Sequence, residues 1–305
     1  MKHSIKVTAI LLVLFLIAQL VGIFVLNLYK PEIIPIQLDN ETIINITSHG
    51  LPYGLEPPQE TSKTKNLWSI VFAFIIAIIA IIFLMRFKAE LLLRIWFFIV
   101  VIIAIAVSLF APFKTFPYAS LIVLGVALIL AYFKVFRRNI IVHNLTELLI
   151  YPGIAAIFVP LLNVGTAVLL FIIFSAYDMY AVWHAKFMQK MAHYQINKVK
   201  VFSGFFVPYL SKKDKLLLKE AEKSGKKKEV KVSVAILGGG DIVFPIILAG
   251  TVLNSLGLFA SLLVSIGATI ALAFLLYKSE KGKFYPALPF ISVGCFVALA
   301  IAYLI

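Results

Sequence analysis

Long apolar stretches separated by short polar segments dominate the chain, a pattern unlike the one-sided stripe of an amphipathic helix or the two-residue alternation of a half-buried strand. A helix needs about 20 apolar residues to cross the hydrocarbon core of a bilayer. Nine stretches approach that length: residues 5–28, 67–85, 95–110, 118–133, 144–159, 163–183, 234–253, 256–277 and 287–305. The pattern predicts an all-α, polytopic integral membrane protein with nine transmembrane helices. The first stretch follows Lys2 and Lys6, as a secretory leader would. Its apolar run is too long for one and lacks a small-residue cleavage site, so it is expected to stay as an anchor.

Basic residues decide the orientation, because lysine and arginine in short loops are retained on the cytoplasmic side. With the N-terminus cytoplasmic and the C-terminus outside, 24 of the 28 basic residues fall inside and 4 outside. The chain then divides into an N-terminal five-helix part, residues 1–162, with an external loop at 29–66, and a part holding spans six to nine, residues 163–305. A cytoplasmic loop at 184–233 carries thirteen lysines. The net charge of +14 would otherwise point to nucleic acid. Placed on one membrane face, it points instead to topology and to anionic lipid, so the expected partner is the bilayer and no nucleic acid. Association with further copies of the chain is left open.

Composition narrows the chemistry. The chain is 62% hydrophobic and 14% charged, which excludes a soluble globular enzyme. Its single cysteine, Cys295, excludes a disulfide framework, and its five histidines are not spaced for a metal site. No metal and no cofactor are expected.

Acids are expensive inside a bilayer, at about 2.5–3.5 kcal/mol for a central aspartate. Most of the 14 acidic residues fall in loops or near span ends, Glu147 among them. Asp178 and Asp241 do not. Counting from the cytoplasmic ends of the sixth and seventh stretches, they lie about 9 Å and about 10 Å deep at 1.5 Å per residue. If those two helices are neighbours, the carboxyl groups meet and share one proton. Such a pair can hydrolyse a peptide bond: the ionised member takes a proton from water while the protonated member donates to the scissile carbonyl oxygen. An ion- or proton-coupled transporter or leak pathway using the same acids stays open, as does a buried hydrogen-bonded pair. Gly238, Gly239 and Gly240 before Asp241 let another backbone approach closely. Tyr177 precedes Asp178, and Pro286-Ala287-Leu288-Pro289 opens the ninth stretch on the side where both acids lie.

Tyr177-Asp178, Gly238-x-Gly240-Asp241 and Pro286-Ala287-Leu288, in this order and on the sixth, seventh and ninth stretches, resemble the three motifs of the presenilin and signal peptide peptidase family of intramembrane aspartyl proteases. The resemblance covers residues 163–305; the first five spans match in number only. It implies an aspartic endopeptidase with Asp178 and Asp241 as catalytic dyad, and with Tyr177, Gly238, Gly240, Pro286, Ala287 and Leu288 shaping the site and receiving substrate. The N-inside orientation is presenilin-like, which implies single-span substrates of type I orientation. The short loops resemble those of compact archaeal homologues. The lysine-rich loop has no hydrophobic plug of the self-cleaved kind; its one apolar stretch, 201–210, is expected along the membrane surface.

Two segments alternate at strand period, Lys198-Val199-Lys200-Val201 and Val230-Lys231-Val232-Ser233-Val234. They are expected to pair into a small cytoplasmic sheet. Val230 and Val232 would then hold an unwound substrate segment by strand addition, as the resemblance implies for the segment before the seventh span.

Overall fold

The computed structural model describes residues 4–31, 33–38, 41–46, 50–55, 62–137, 139–183, 194, 198–199, 201–209, 233–280 and 285–305. Among the described residues, nine long helices occur in this order: α1 (Ile5–Leu28), α2 (Lys63–Arg86), α3 (Glu90–Phe113), α4 (Ala119–Phe136), α5 (Ile140–Phe158), α6 (Val164–Trp183), α7 (Gly239–Leu256), α8 (Leu258–Lys278) and α9 (Leu288–Leu304). The first eight are long and apolar enough to cross a membrane, and α9 is an apolar helix of 17 residues. Helix starts are marked by side-chain caps. Asn139 Oδ1 accepts from the amides of Ile141 and Val142 at the start of α5, and Asn163 and Thr166 cap each other's backbone at the start of α6.

The chain is mostly helical, as expected, and the described residues also form two antiparallel hairpins. β1 (Ile33–Leu38) pairs with β2 (Glu41–Ile46), and β3 (Gly204–Tyr209) pairs with β4 (Ser233–Gly238). The second hairpin lies where a small sheet was expected, with a different first strand and a second strand that shares Ser233 and Val234 with the expected one. Its first strand is 204–209, inside the stretch expected along the membrane surface. Lys198 and Val199 are helical instead, with the Val199 carbonyl gripped by Arg94 Nε and Nη2 at 3.1 and 2.8 Å. β3 places Phe205 and Val207 in the main core at 0% and 4% exposure, whereas Val199 and Val201, though also buried, pack with Val135 in a small separate cluster. Val230 and Val232 lie outside the described residues.

The same hairpin shortens the seventh stretch. Residues 234–238 are strand rather than helix, so α7 begins only at Gly239 and Asp241 sits in its first turn. β4 thus ends three residues before Asp241, where a further helical turn was expected.

Of the eight spanning-length helices among the described residues, α7 is the most enclosed and α2 the least. Small residues let the helices approach closely. Gly153 of α5 abuts the backbone of Ala104 in α3, Gly22 of α1 receives Ile246 of α7, and Gly267 of α8 lies against Gly294 of α9. At the end of the bundle away from the β3–β4 hairpin, Lys114 Nζ donates to the Leu28 carbonyl at 3.0 Å, and Lys63 Nζ to that of Pro160. The β3–β4 hairpin and both aspartates lie toward the opposite end.

Candidate active site

Asp178 projects from α6 and is buried at 7% exposure. The start of α9 holds it: Oδ2 accepts the amide N–H of Leu288 at 3.2 Å, and the Ala287 amide faces the same carboxylate. Leu288 is the first residue of α9, where an N–H has no partner within the helix, and so the carboxylate fills a vacancy that the helix end creates. The Pro286-Ala287-Leu288 segment therefore meets Asp178 through its backbone, with Pro286 and Leu288 themselves buried.

Asp241 rises from the first turn of α7, which packs on α6, and the two carboxyl groups lie within direct electrostatic reach of each other. The three glycines before it do different work. A Cβ at Gly238 would stand 3.2 Å from Asp241 Oδ2, so the carboxylate folds over bare backbone there. At Gly239 a Cβ would stand 2.6 Å from Ser203 Oγ and 3.1 Å from the Tyr151 ring. Gly240 has room, its nearest neighbour being Phe244 at 3.9 Å. The middle glycine, which was not among the predicted site residues, is thus the most tightly enclosed of the three.

Tyr177 is half-buried and packs edge-on against Phe74 of α2, ring centroids 5.5 Å apart. Phe74 also meets Phe174, which in turn packs against Phe244, so an aromatic layer joins α2, α6 and α7 beside the two acids. On the other flank of α6 an apolar groove of about 760 Å³ runs between α6, α8 and α9. Met179, Trp183, Pro286 and Pro289 line it next to Asp178.

Three polar side chains near the site were not singled out from the sequence. Gln19 of α1, completely buried, donates from Nε2 to the Ile242 carbonyl at 3.1 Å, immediately after Asp241. Glu147, expected near a span end, is completely buried and pairs with Lys134 of α4. Ser203 donates to Glu147. His143, Asn144 and Glu147 share one side of the otherwise apolar start of α5, and that polar stripe was the legible signal.

A family model described as signal-peptide peptidase, presenilin aspartyl protease matches residues 42–305. Two solved structures, each of a presenilin family intramembrane aspartate protease, share the fold. One, in space group C222, superposes with a TM-score of 0.60 at 16% identity over 97% of this chain and 98% of its own. The other, in space group P2, has a TM-score of 0.60 and 16% identity over 96% of each chain. No curated protein matches the sequence.

Proposed function

The chain belongs to the signal-peptide peptidase and presenilin aspartyl protease family, and from that premise we propose that Asp178 and Asp241 are its catalytic dyad. The protein is an integral, multi-pass intramembrane aspartyl protease whose substrates are transmembrane proteins. What supports the dyad is that the two intramembrane carboxyl groups sit on packed helices, near enough to act on each other electrostatically, one of them held by the amide of Leu288. One carboxylate takes a proton from water and the other acid donates to the scissile carbonyl oxygen. The roles then reverse to protonate the leaving nitrogen, with no covalent intermediate. Pro286, Ala287 and Leu288 orient Asp178, Gly238 makes room for the Asp241 carboxylate, and Gly240 leaves backbone free for substrate to approach beside Tyr177.

The topology is read as nine spans with the N-terminus inside. In support, α9 at 17 residues reaches the lower limit of spanning length. The lysine-rich segment also follows α6 on the side of the dyad. Residues 1–162 then form the supporting part and 163–305 the catalytic part. Substrates of type I orientation present their cytoplasmic ends to the β3–β4 hairpin.

Purified protein incubated with a single-span substrate in H₂¹⁸O tests this reading. Mass spectrometry is expected to find a cut within the span and ¹⁸O in the new carboxyl group, with a type I substrate preferred over the same span inverted. Ion flux without cleavage would establish transport instead.

Strand addition gives a second expected result. Substrate extends the β3–β4 sheet along the segment that carries Val230 and Val232, so Val232→Pro, which removes a backbone donor, lowers the cleavage rate about tenfold. The melting temperature of the bundle stays unchanged. Full activity of that variant would refute strand addition.

A further inference from the structure

The start of α5 carries a cluster whose cost calls for a purpose. Lys134 Nζ and Glu147 Oε1 are 2.6 Å apart with side chains 1% and 0% exposed. Ion pairs this deep are weak stabilisers, because desolvation offsets their attraction, and apolar replacements of equal volume often fold as well or better. Their partners, by contrast, are specific. Glu147 Oε2 accepts from Ser203 Oγ at 3.2 Å, and Lys134 Nζ also faces His143 Nδ1 at 3.4 Å. His143 Nε2 meets the Gly204 carbonyl at 2.8 Å, while Asn144 binds the backbone of Phe206 through both its amide atoms at 2.8 and 2.9 Å. Residues 203–206 are thereby laid along one face of α5.

From there the path to the site is short. The Ser203 carbonyl accepts the N–H of Gly239, the first residue of α7, at 3.2 Å, and Gly204 pairs with Gly238 across the hairpin. Gly239 is wedged between Ser203 Oγ and the Tyr151 ring, so a shift of Ser203 moves the backbone two residues before Asp241. We infer that Glu147, held by Lys134, is a positioning residue for peptide hydrolysis: through Ser203 and Gly239 it sets the place of Asp241 relative to Asp178. The inference rests on the reading of Asp241 as a catalytic carboxyl group.

The test compares three variants of the full chain in proteoliposomes: Ser203→Ala, the double change Lys134→Met with Glu147→Leu, and Asp241→Asn. Each is measured for kcat, KM, melting temperature and affinity for a hydroxyl-bearing peptide isostere of the tetrahedral intermediate. Ser203→Ala is expected to lower kcat about tenfold, the size of one hydrogen bond to a charged group, with KM little changed. Isostere affinity falls by the same factor, since both report fit to the transition state. The double variant keeps its melting temperature and shows the same loss, which a merely structural role would not produce. Wild-type kcat and isostere affinity in Ser203→Ala, beside an inactive Asp241→Asn, would overturn the positioning role and leave the dyad standing. Cleavage by Asp241→Asn would overturn the dyad itself and the inference with it. Should the double variant fail to fold, Ser203→Ala decides alone.

Discussion

Asp178→Asn and Asp241→Asn, each introduced alone, are expected to slow cleavage of a single-span substrate about 10³-fold or more, within the range that positioned acid–base groups contribute. The double variant should be no slower than either single one. Groups that act as one unit lose their whole effect when either is removed, so the free energies of the two changes do not add. Asparagine is the informative replacement because of what Asp178 touches. Its side-chain oxygen can still accept from the Leu288 amide, leaving the start of α9 in place while the proton chemistry is gone. Alanine would also leave that N–H without its acceptor, at a cost of about 1–3 kcal/mol for a buried group. Asp178→Ala is therefore expected to melt earlier than Asp178→Asn at equal inactivity. Measured rates, circular dichroism and melting curves on the purified variants separate the two effects. A single asparagine variant that keeps a tenth of the activity would show that the carboxyl groups do not work as a pair.

Hydropathy alone made the helices legible, because a bilayer leaves few other ways to satisfy the backbone of a long apolar stretch. Asp178 and Asp241 stood out for the complementary reason: an aspartate inside such a stretch has no inexpensive explanation. The β3–β4 hairpin was legible only in part, since a small sheet was expected but not its first strand or the extent of its second. Residues 234–238 are as apolar as the helix that follows, and a hydropathy scan cannot distinguish a buried strand from a helix turn. Gly-Phe-Phe-Val-Pro-Tyr at 204–209 carries a glycine and a proline that argue against a strand, and it became one because Phe205 and Val207 reach the core. The polar stripe on α5 marked Glu147, but not its pairing with Lys134, which lies 13 residues earlier on another helix. Linear distance from a span end says nothing about such a pairing. The glycine triplet announced close packing, but only the tertiary contacts identify Gly239 as the enclosed position.

Gly153→Ala is expected to destabilise the bundle by more than about 3 kcal/mol, above the usual range for overpacking. A Cβ at Gly153 would stand 1.8 Å from the Ala104 carbonyl oxygen, 2.6 Å from its carbon and 3.0 Å from its α-carbon. All three are backbone atoms, so no rotamer change relieves the clash and α3 must part from α5 along their crossing. The control lies in α4, where a Cβ at Gly125 meets nothing within 4 Å. Gly125→Ala should therefore be neutral or gain up to about 1 kcal/mol of helix propensity. Ala104→Gly should not rescue Gly153→Ala, because it removes a methyl group that takes no part in the collision. Activity should fall along with stability, since α5 also carries Glu147 and Tyr151, which border Ser203 and Gly239. A displacement of α5 thus reaches the first turn of α7 without altering Asp178 or Asp241. Thermal unfolding in detergent checks the order Gly125→Ala, wild type, Gly153→Ala. A Gly153→Ala protein that melts with the wild type would mean that α3 and α5 do not cross this closely.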